Sequence, residues 1–215
     1  MGNTDFSEEF RYLDFLKHSH APVLFNELYD TLRSGVHIQK QSHPKLFNFI
    51  ESGNNQESLK EFIKLFNKTQ MLTARGQQNE KYYFIDFLED SKGNTKLRPI
   101  DDDYTLVGFL IYKFYFMESV NFDFSISNFQ DTIMNHEFYK KGVIKNFGKT
   151  LRDENGTTTD KVIKDTIRKA FNFFDKICWI KIDSDGDGFI FYPAFQRIID
   201  FYAKDIDTID TWLNE

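Results

Sequence analysis

The stretch of residues 179–199, WIKIDSDGDGFIFYPAFQRII, constrains the fold more than any other part of the chain. Polar and apolar residues alternate up to Ile182, and a period of two is typical of a half-buried β-strand. Two Asp-Gly pairs follow, which favour a tight turn because glycine readily adopts positive φ. An aromatic strand pattern then resumes, and Pro193 suits the first turn of a helix. The stretch therefore predicts a β-hairpin followed directly by a helix.

The same stretch also contains the beginning of a calcium-binding EF-hand loop. Such a loop needs oxygen ligands at its first, third and fifth positions, glycine at the sixth and a bidentate glutamate at the twelfth. Asp183, Asp185, Asp187 and Gly188 satisfy the first part of this pattern. The twelfth position is Ala194, which has no ligand oxygen. We therefore favour the hairpin and keep an incomplete calcium loop as the alternative.

Apolar residues at helical spacing predict amphipathic helices along most of the chain. Pro22 and Gly35 mark the start and the end of one of these helices, in the positions that each residue prefers. Asp103 is the expected N-cap of an apolar helix that begins at Tyr104. Residues 71–76 and 82–90 have strand-like composition on either side of a polar turn. The predicted helices cover residues 6–20, 22–35, 44–52, 55–70, 125–139 and 160–176.

Two parts of the chain can be aligned with each other. Residues 59–76 match residues 167–184 at a constant offset of 108, since 167 − 59 = 108, and both run from a helix into a strand. A repeated order of elements favours an internal duplication. Helices followed by a two-stranded hairpin are typical of the winged helix. We therefore predict a mostly α-helical α+β protein with two tandem winged-helix domains, at residues 1–98 and 99–215.

Rows of basic residues on two predicted helices are candidates for DNA contact, because such rows can bind phosphates. The alternative is a solvated helix face, since lysine is common on amphipathic helices and acidic residues are interspersed here. The net charge of the whole chain is −6, which opposes DNA binding at long range. The candidates are Lys60, Lys64 and Lys68 in the first half and Lys161, Lys164 and Arg168 in the second.

The sequence lacks the motifs of the common catalytic and metal sites. It contains no zinc-binding pattern, phosphate-binding loop or nucleophile elbow, and its five histidines are scattered. The single cysteine, Cys178, excludes an internal disulfide bond. No apolar run is long enough to span a bilayer, and the first residues do not form a secretory signal. We therefore expect a cytoplasmic protein without enzymatic activity, metal or cofactor.

Two predicted winged helices, an acidic chain and the pattern of apolar strand, Asp-Gly turn, second strand and YPAFQRI together resemble a known family. The family is that of the kleisin-interacting tandem winged-helix (KITE) subunits of bacterial SMC complexes, in particular the MukE, MksE and Wadjet-type subunits. The resemblance implies a homodimer that binds a kleisin and assists an SMC ATPase. It also implies weak or indirect contact with DNA, and a role in chromosome segregation or in defence against plasmids.

The chain is rich in aromatic residues, with 25 Phe and 10 Tyr. Aromatic side chains beyond those that a core needs can form protein interfaces, although core packing is the alternative for each of them. The candidates for partner contact are Tyr82, Tyr83, Phe84, Phe114, Phe116, Phe191 and Tyr192.

Two other functions agree with parts of the sequence. A DNA-binding regulator or plasmid replication initiator can share the tandem fold, and it predicts direct binding to duplex DNA with a steep dependence on salt. A calcium-binding protein would use the incomplete loop that begins at Asp183. The acidic charge argues against the first of these functions, and Ala194 argues against the second.

Overall fold

The computed structural model describes residues 11–67, 69–87, 100–117, 123–146 and 160–207. The chain divides into two compact units, Met1–Arg98 (unit 1) and Pro99–Glu215 (unit 2). Both units combine helices with a small antiparallel sheet, so the predicted α+β class is confirmed. None of the helices in these ranges is long and apolar enough to cross a membrane.

Unit 1 packs helices against one three-stranded sheet in which β3 lies between β1 and β2. The predicted hairpin is present, and it pairs from Thr69 opposite Phe87 to Arg75 opposite Lys81. The described elements are a 3-10 helix (Arg11–Lys17), α1 (Ala21–Arg33), β1 (Ile38–Gln39), α2 (Pro44–Glu51), α3 (Asn55–Asn67), β2 (Thr69–Arg75) and β3 (Lys81–Phe87).

Helix α1 shows how the sequence builds this unit. Leu24, Leu28 and Leu32 recur every four residues and form one fully buried stripe. Burial of each such side chain contributes about 1.5–3 kcal/mol. Pro22 lies in the first turn, and Gly35 just past the helix has a φ of +83°, as its position predicts.

Unit 2 is built around an unusually apolar helix, α4, which continues into a π-helix (Lys113–Met117). The predicted second hairpin is present, with Ile180 opposite Phe191 and Ile182 opposite Phe189. The other described elements are α4 (Asp102–Tyr112), α5 (Ile126–Asn135), α6 (Glu137–Asn146), α7 (Asp160–Lys176), β4 (Ile180–Ile182), β5 (Phe189–Phe191), a 3-10 turn (Pro193–Phe195) and α8 (Gln196–Asp207).

The core of unit 2 is largely aromatic. Phe171 on α7 packs edge-on against Phe189 of β5, with ring centroids 4.9 Å apart. Phe174 stacks on Trp179, which precedes β4, at 5.6 Å. Through these contacts α7 packs directly against the hairpin that follows it, and each covers an apolar face of the other.

Several details differ from the sequence predictions. The first predicted helix is a 3-10 helix where the structure describes it, and the helix predicted to residue 70 ends at Asn67, because Thr69 and Gln70 already pair in β2. The helix expected at 125–139 is two helices, because His136 adopts an extended conformation with φ −102° and ψ 108°.

Helix α4 begins two residues earlier than expected, and its N-cap is Asp101 rather than Asp103, because the Asp101 carboxylate accepts a hydrogen bond from the Asp103 N–H at 3.1 Å. Strand β1 was not predicted, because two residues are too short to show a periodic pattern.

The helices and turns of the two units lie at positions that agree with the sequence offset of 108. Adding 108 to the bounds of α3 gives 163–175, which lies inside α7. The turn of the first hairpin covers residues 76–80. Adding 108 to these numbers gives 184–188, which lies within the connection between β4 and β5, residues 183–188. The helix, strand, turn and strand thus follow one another at matching positions in both units. The sequence also predicts a polar linker at 91–103 and a loop at 148–160, of which residues 91–99 and 148–159 lie outside the described residues, as do residues 6–10 of the first predicted helix.

Replacement of Asp101 by alanine should destabilise unit 2 by about 1 kcal/mol, because the first turn of α4 loses its cap. Asp102→Ala is the matched control, since this exposed residue contributes only its charge near the helix start, which is worth about 0.3–1 kcal/mol and is screened by salt. Denaturant unfolding of the full chain measures both changes. Equal losses in the two variants would contradict the capping role of Asp101.

Candidate interaction surfaces

A polar corner joins the turn of the second hairpin to the start of α5. The Asp187 carboxylate accepts hydrogen bonds from the hydroxyls of Ser125 and Ser127 at 2.6 and 2.8 Å, and from the Ser127 N–H at 3.0 Å. Ser125 is also the N-cap of α5, because its Oγ accepts a hydrogen bond from the Asn128 N–H at 3.3 Å. We name Ser125, Ser127, Arg168 and Asp187 the Asp187 corner.

Arg168 completes this corner from the middle of α7. Its guanidinium donates a hydrogen bond to the Gly186 carbonyl oxygen, and its second terminal nitrogen lies 3.5 Å from the Asp187 carboxylate. Hydrogen bonding from Ser125, helped by Ser127 and Arg168, holds the pKa of Asp187 below its usual range. Asp187 is therefore ionised at neutral pH and serves as a structural acceptor.

The turn itself is closed by Asp183. The Asp183 carboxylate accepts a hydrogen bond from the Asp187 N–H at 3.2 Å. The main-chain carbonyl oxygen of Asp183 accepts one from the Gly186 N–H, also at 3.2 Å. Gly186 has a φ of +77°, as the first Asp-Gly pair predicts, whereas Gly188 does not have a positive φ. Glycine at position 188 leaves room for the Asp183 carboxylate. A Cβ there would collide with this carboxylate and displace it.

The three aspartates do not form a calcium site in this arrangement. Across the described ranges, no three His, Cys, Asp or Glu side chains come close enough together to hold a metal ion. Asp187 is directed at the serines of α5, while Asp183 bonds within the turn. Ala194, at the twelfth loop position, is fully buried in a 3-10 turn. The hairpin interpretation agrees with all of these contacts.

The basic rows that the sequence singled out are partly neutralised by acidic neighbours. On α7, the Lys164 ammonium lies 2.8 Å from the Asp131 carboxylate, and Arg168 belongs to the Asp187 corner. On α3, Lys60 pairs with Glu57 at 3.1 Å. Lys64 and Lys161 are exposed on their helices, and Lys68 lies outside the described residues. DNA contact by these six residues stays a prediction.

The seven aromatic candidates for partner contact are divided between interior and surface. Tyr82, Tyr83 and Phe114 are buried, with at most 1% of each residue exposed. The Tyr83 hydroxyl donates to Glu51 and contacts Gln56 at 3.0 Å, and burial together with Glu51 raises its pKa. The four partly exposed candidates are Phe84, Phe116, Phe191 and Tyr192.

Phe116 and Phe191 are part of a continuous aromatic surface on unit 2. Their ring centroids are 4.9 Å apart, and Phe191 also lies 5.9 Å from Phe124, which is 53% exposed. We name Phe116, Phe124 and Phe191 the aromatic surface. Phe124 was not among the candidates named from the sequence, because it lies just before the α5 cap and outside every helix and strand predicted there. On unit 1, Leu65 and Phe66 at the end of α3 are more than 60% exposed.

Comparison with known proteins points to one family. The sequence model of the family described as condensin complex protein MksE matches residues 23–203, which include described parts of both units. A search among curated proteins gives no match.

Millimolar calcium should leave the melting temperature of the full chain unchanged. The carboxylates of Asp183 and Asp187 already accept hydrogen bonds from the protein, and Ala194 at the twelfth loop position has no ligand oxygen. Thermal unfolding with calcium chloride, compared with the same concentration of magnesium chloride, provides the measurement. A calcium-specific rise of several degrees would mean that the turn binds the ion after all.

Proposed function

We propose that this chain, which belongs to the MksE family of condensin complex proteins, is the kleisin-binding accessory subunit of a bacterial SMC complex. The family match carries this proposal, because it extends over most of the chain and assigns it to a condensin-like complex. The subunit binds the kleisin, acts as a homodimer and assists the SMC ATPase without chemistry of its own. Its complex organises DNA in chromosome segregation or in defence against plasmids.

The proposed fold of each unit is a winged helix, and the element order supports this assignment. Unit 1 runs α1, β1, α2, α3, β2 and β3, with β1 paired to β3, which is the order of a winged helix. In unit 2, β1 has a reduced counterpart, because Ser125 forms an isolated bridge with Gly188 just before α5. Helix α7 and the second hairpin then take the places of α3 and the first hairpin.

Surface-exposed aromatic side chains support partner binding as the main role. Apolar side chains on a surface gain free energy when a partner covers them, and aromatic residues are enriched at the centres of interfaces. The aromatic surface of Phe116, Phe124 and Phe191 offers such a contact on unit 2. Phe84 and Tyr192 are further partly exposed positions for contact with the kleisin or with a second copy.

Direct DNA binding is proposed to be weak. Lys60, Lys164 and Arg168 face carboxylates on the same protein, which reduces their attraction for phosphates. The net charge of −6 repels duplex DNA at long range. Exposed Lys64 and Lys161 leave a residual, sequence-independent contact. This distinguishes the proposal from a stand-alone regulator or replication initiator, which must bind its site tightly.

Purification of the tagged full chain from its native cells, followed by mass spectrometry, tests the proposal. An SMC ATPase and a kleisin should be strongly enriched over a purification from untagged cells. Nuclease treatment should leave both proteins in the eluate, because the contacts are between proteins. Loss of both partners from the untreated eluate would contradict the assignment to the complex.

Duplex binding should be weak, with a dissociation constant of about 10⁻⁴–10⁻⁶ M at physiological salt, and independent of sequence. Lys64→Gln should weaken it further, whereas the control Asp131→Asn combined with Lys164→Gln should change little, because it removes an ion pair without changing the net charge. Fluorescence anisotropy over a salt series measures both effects. Nanomolar, sequence-dependent affinity would contradict the proposal and support the regulator.

A further inference from the structure

The turn between β4 and β5 contains three aspartates, and an arginine from α7 lies beside one of them. Asp183, Asp185 and Asp187 stand within five residues, and the Asp183 carboxylate accepts a hydrogen bond from the backbone N–H of Asp187 at 3.2 Å. Three carboxylates so near one another in the chain favour a neighbouring group of opposite charge. Calcium loops meet this need with a metal ion that binds carboxylate and carbonyl oxygens.

Arg168 contacts the same kinds of oxygen. Its guanidinium donates to the Gly186 carbonyl oxygen and lies 3.5 Å from the Asp187 carboxylate. A planar guanidinium carries a permanent charge and several donors in fixed directions, so it can bind two neighbouring oxygens at once. We propose that Arg168 is the resident cation of this turn and takes the place that a metal ion has in a calcium loop.

The contacts of Asp187 extend the effect of Arg168 to a third element. With Asp187 held in place, its carboxylate accepts the Ser127 N–H at 3.0 Å, and its carbonyl oxygen accepts the Ile126 N–H at 2.9 Å. Both donors belong to the start of α5, where backbone N–H groups lack partners within the helix. Arg168 is thus a positioning residue that joins α7, the hairpin turn and the start of α5.

Unit 1 provides an internal comparison. Subtracting 108 from 168 gives Lys60, which pairs with Glu57 on its own helix instead of reaching the turn. The turn of the first hairpin lacks the aspartate cluster, and its Asn79 is held by Arg75 from the adjacent strand. The acidic turn and the arginine from the helix therefore occur together in unit 2, and neither occurs in unit 1.

Hydrogen exchange of the full-length protein tests this inference independently of the proposed function. Arg168→Gln should accelerate exchange about tenfold at the turn and also at the amides of Ile126 and Ser127, which Arg168 does not contact. Asp187→Asn should have a similar effect, and the double variant should add little, because both changes disrupt one coupled contact. Lys169→Gln, at the next position of α7, is the matched control and should leave exchange unchanged.

Arg168→Lys should give an intermediate exchange rate, since an ammonium keeps the positive charge but cannot bind two oxygens in the bidentate geometry of a guanidinium. Unchanged exchange in Arg168→Gln, or fully additive effects in the double variant, would overturn the inference. Slower exchange of the wild-type turn in millimolar calcium would also overturn it, because a metal ion and not Arg168 would then be the cation of the turn.

Discussion

In each unit, the structure depends on one long amphipathic helix packed against the hairpin that follows it. In unit 2, Phe171 and Phe174 of α7 bury their rings against Phe189 and Trp179. A two-stranded hairpin is marginal by itself in water, and an amphipathic helix needs a partner for its apolar face. Each element therefore stabilises the other, and the remaining helices pack around the pair.

This dependence explains which parts of the fold were predictable from the sequence. Helix α7 and both hairpins have strong periodic patterns, because one face of each is buried and the other is solvated. Strand β1 and the break at His136 leave no such pattern, since their conformation depends on contacts with distant residues. The N-cap of α4 differed by two residues, because three consecutive aspartates offer equivalent capping groups in the sequence.

The interaction surfaces were predictable only in part. The spacing of Lys164 and Arg168 indicates a shared helix face, but it cannot show that Asp131 and Asp187 neutralise them from other elements. Aromatic composition likewise cannot separate Tyr83, which is buried, from Phe191, which is partly exposed. In the Asp187 corner, Asp187 contacts serines about 60 positions earlier in the chain, so no local sequence motif predicts this contact.

Membership of a condensin complex protein family agrees with the physical character of the surfaces. Lys164 and Arg168 on α7 pair with carboxylates of the same protein, while Phe66 and Phe124 are more than half exposed. In the proposed role, the subunit contributes binding surfaces and the SMC ATPase of the complex supplies the enzymatic activity. In unit 2, Arg168 contacts both the turn and Asp187, so a side chain of α7 helps to hold the corner.

The most direct test of the functional account is the molar mass of the purified full chain mixed with the purified kleisin of the same cells, determined by light scattering during size-exclusion chromatography. The account predicts a single species that contains both proteins and two copies of this chain. Two separate peaks at micromolar concentrations, each with the mass of one protein alone, would contradict it.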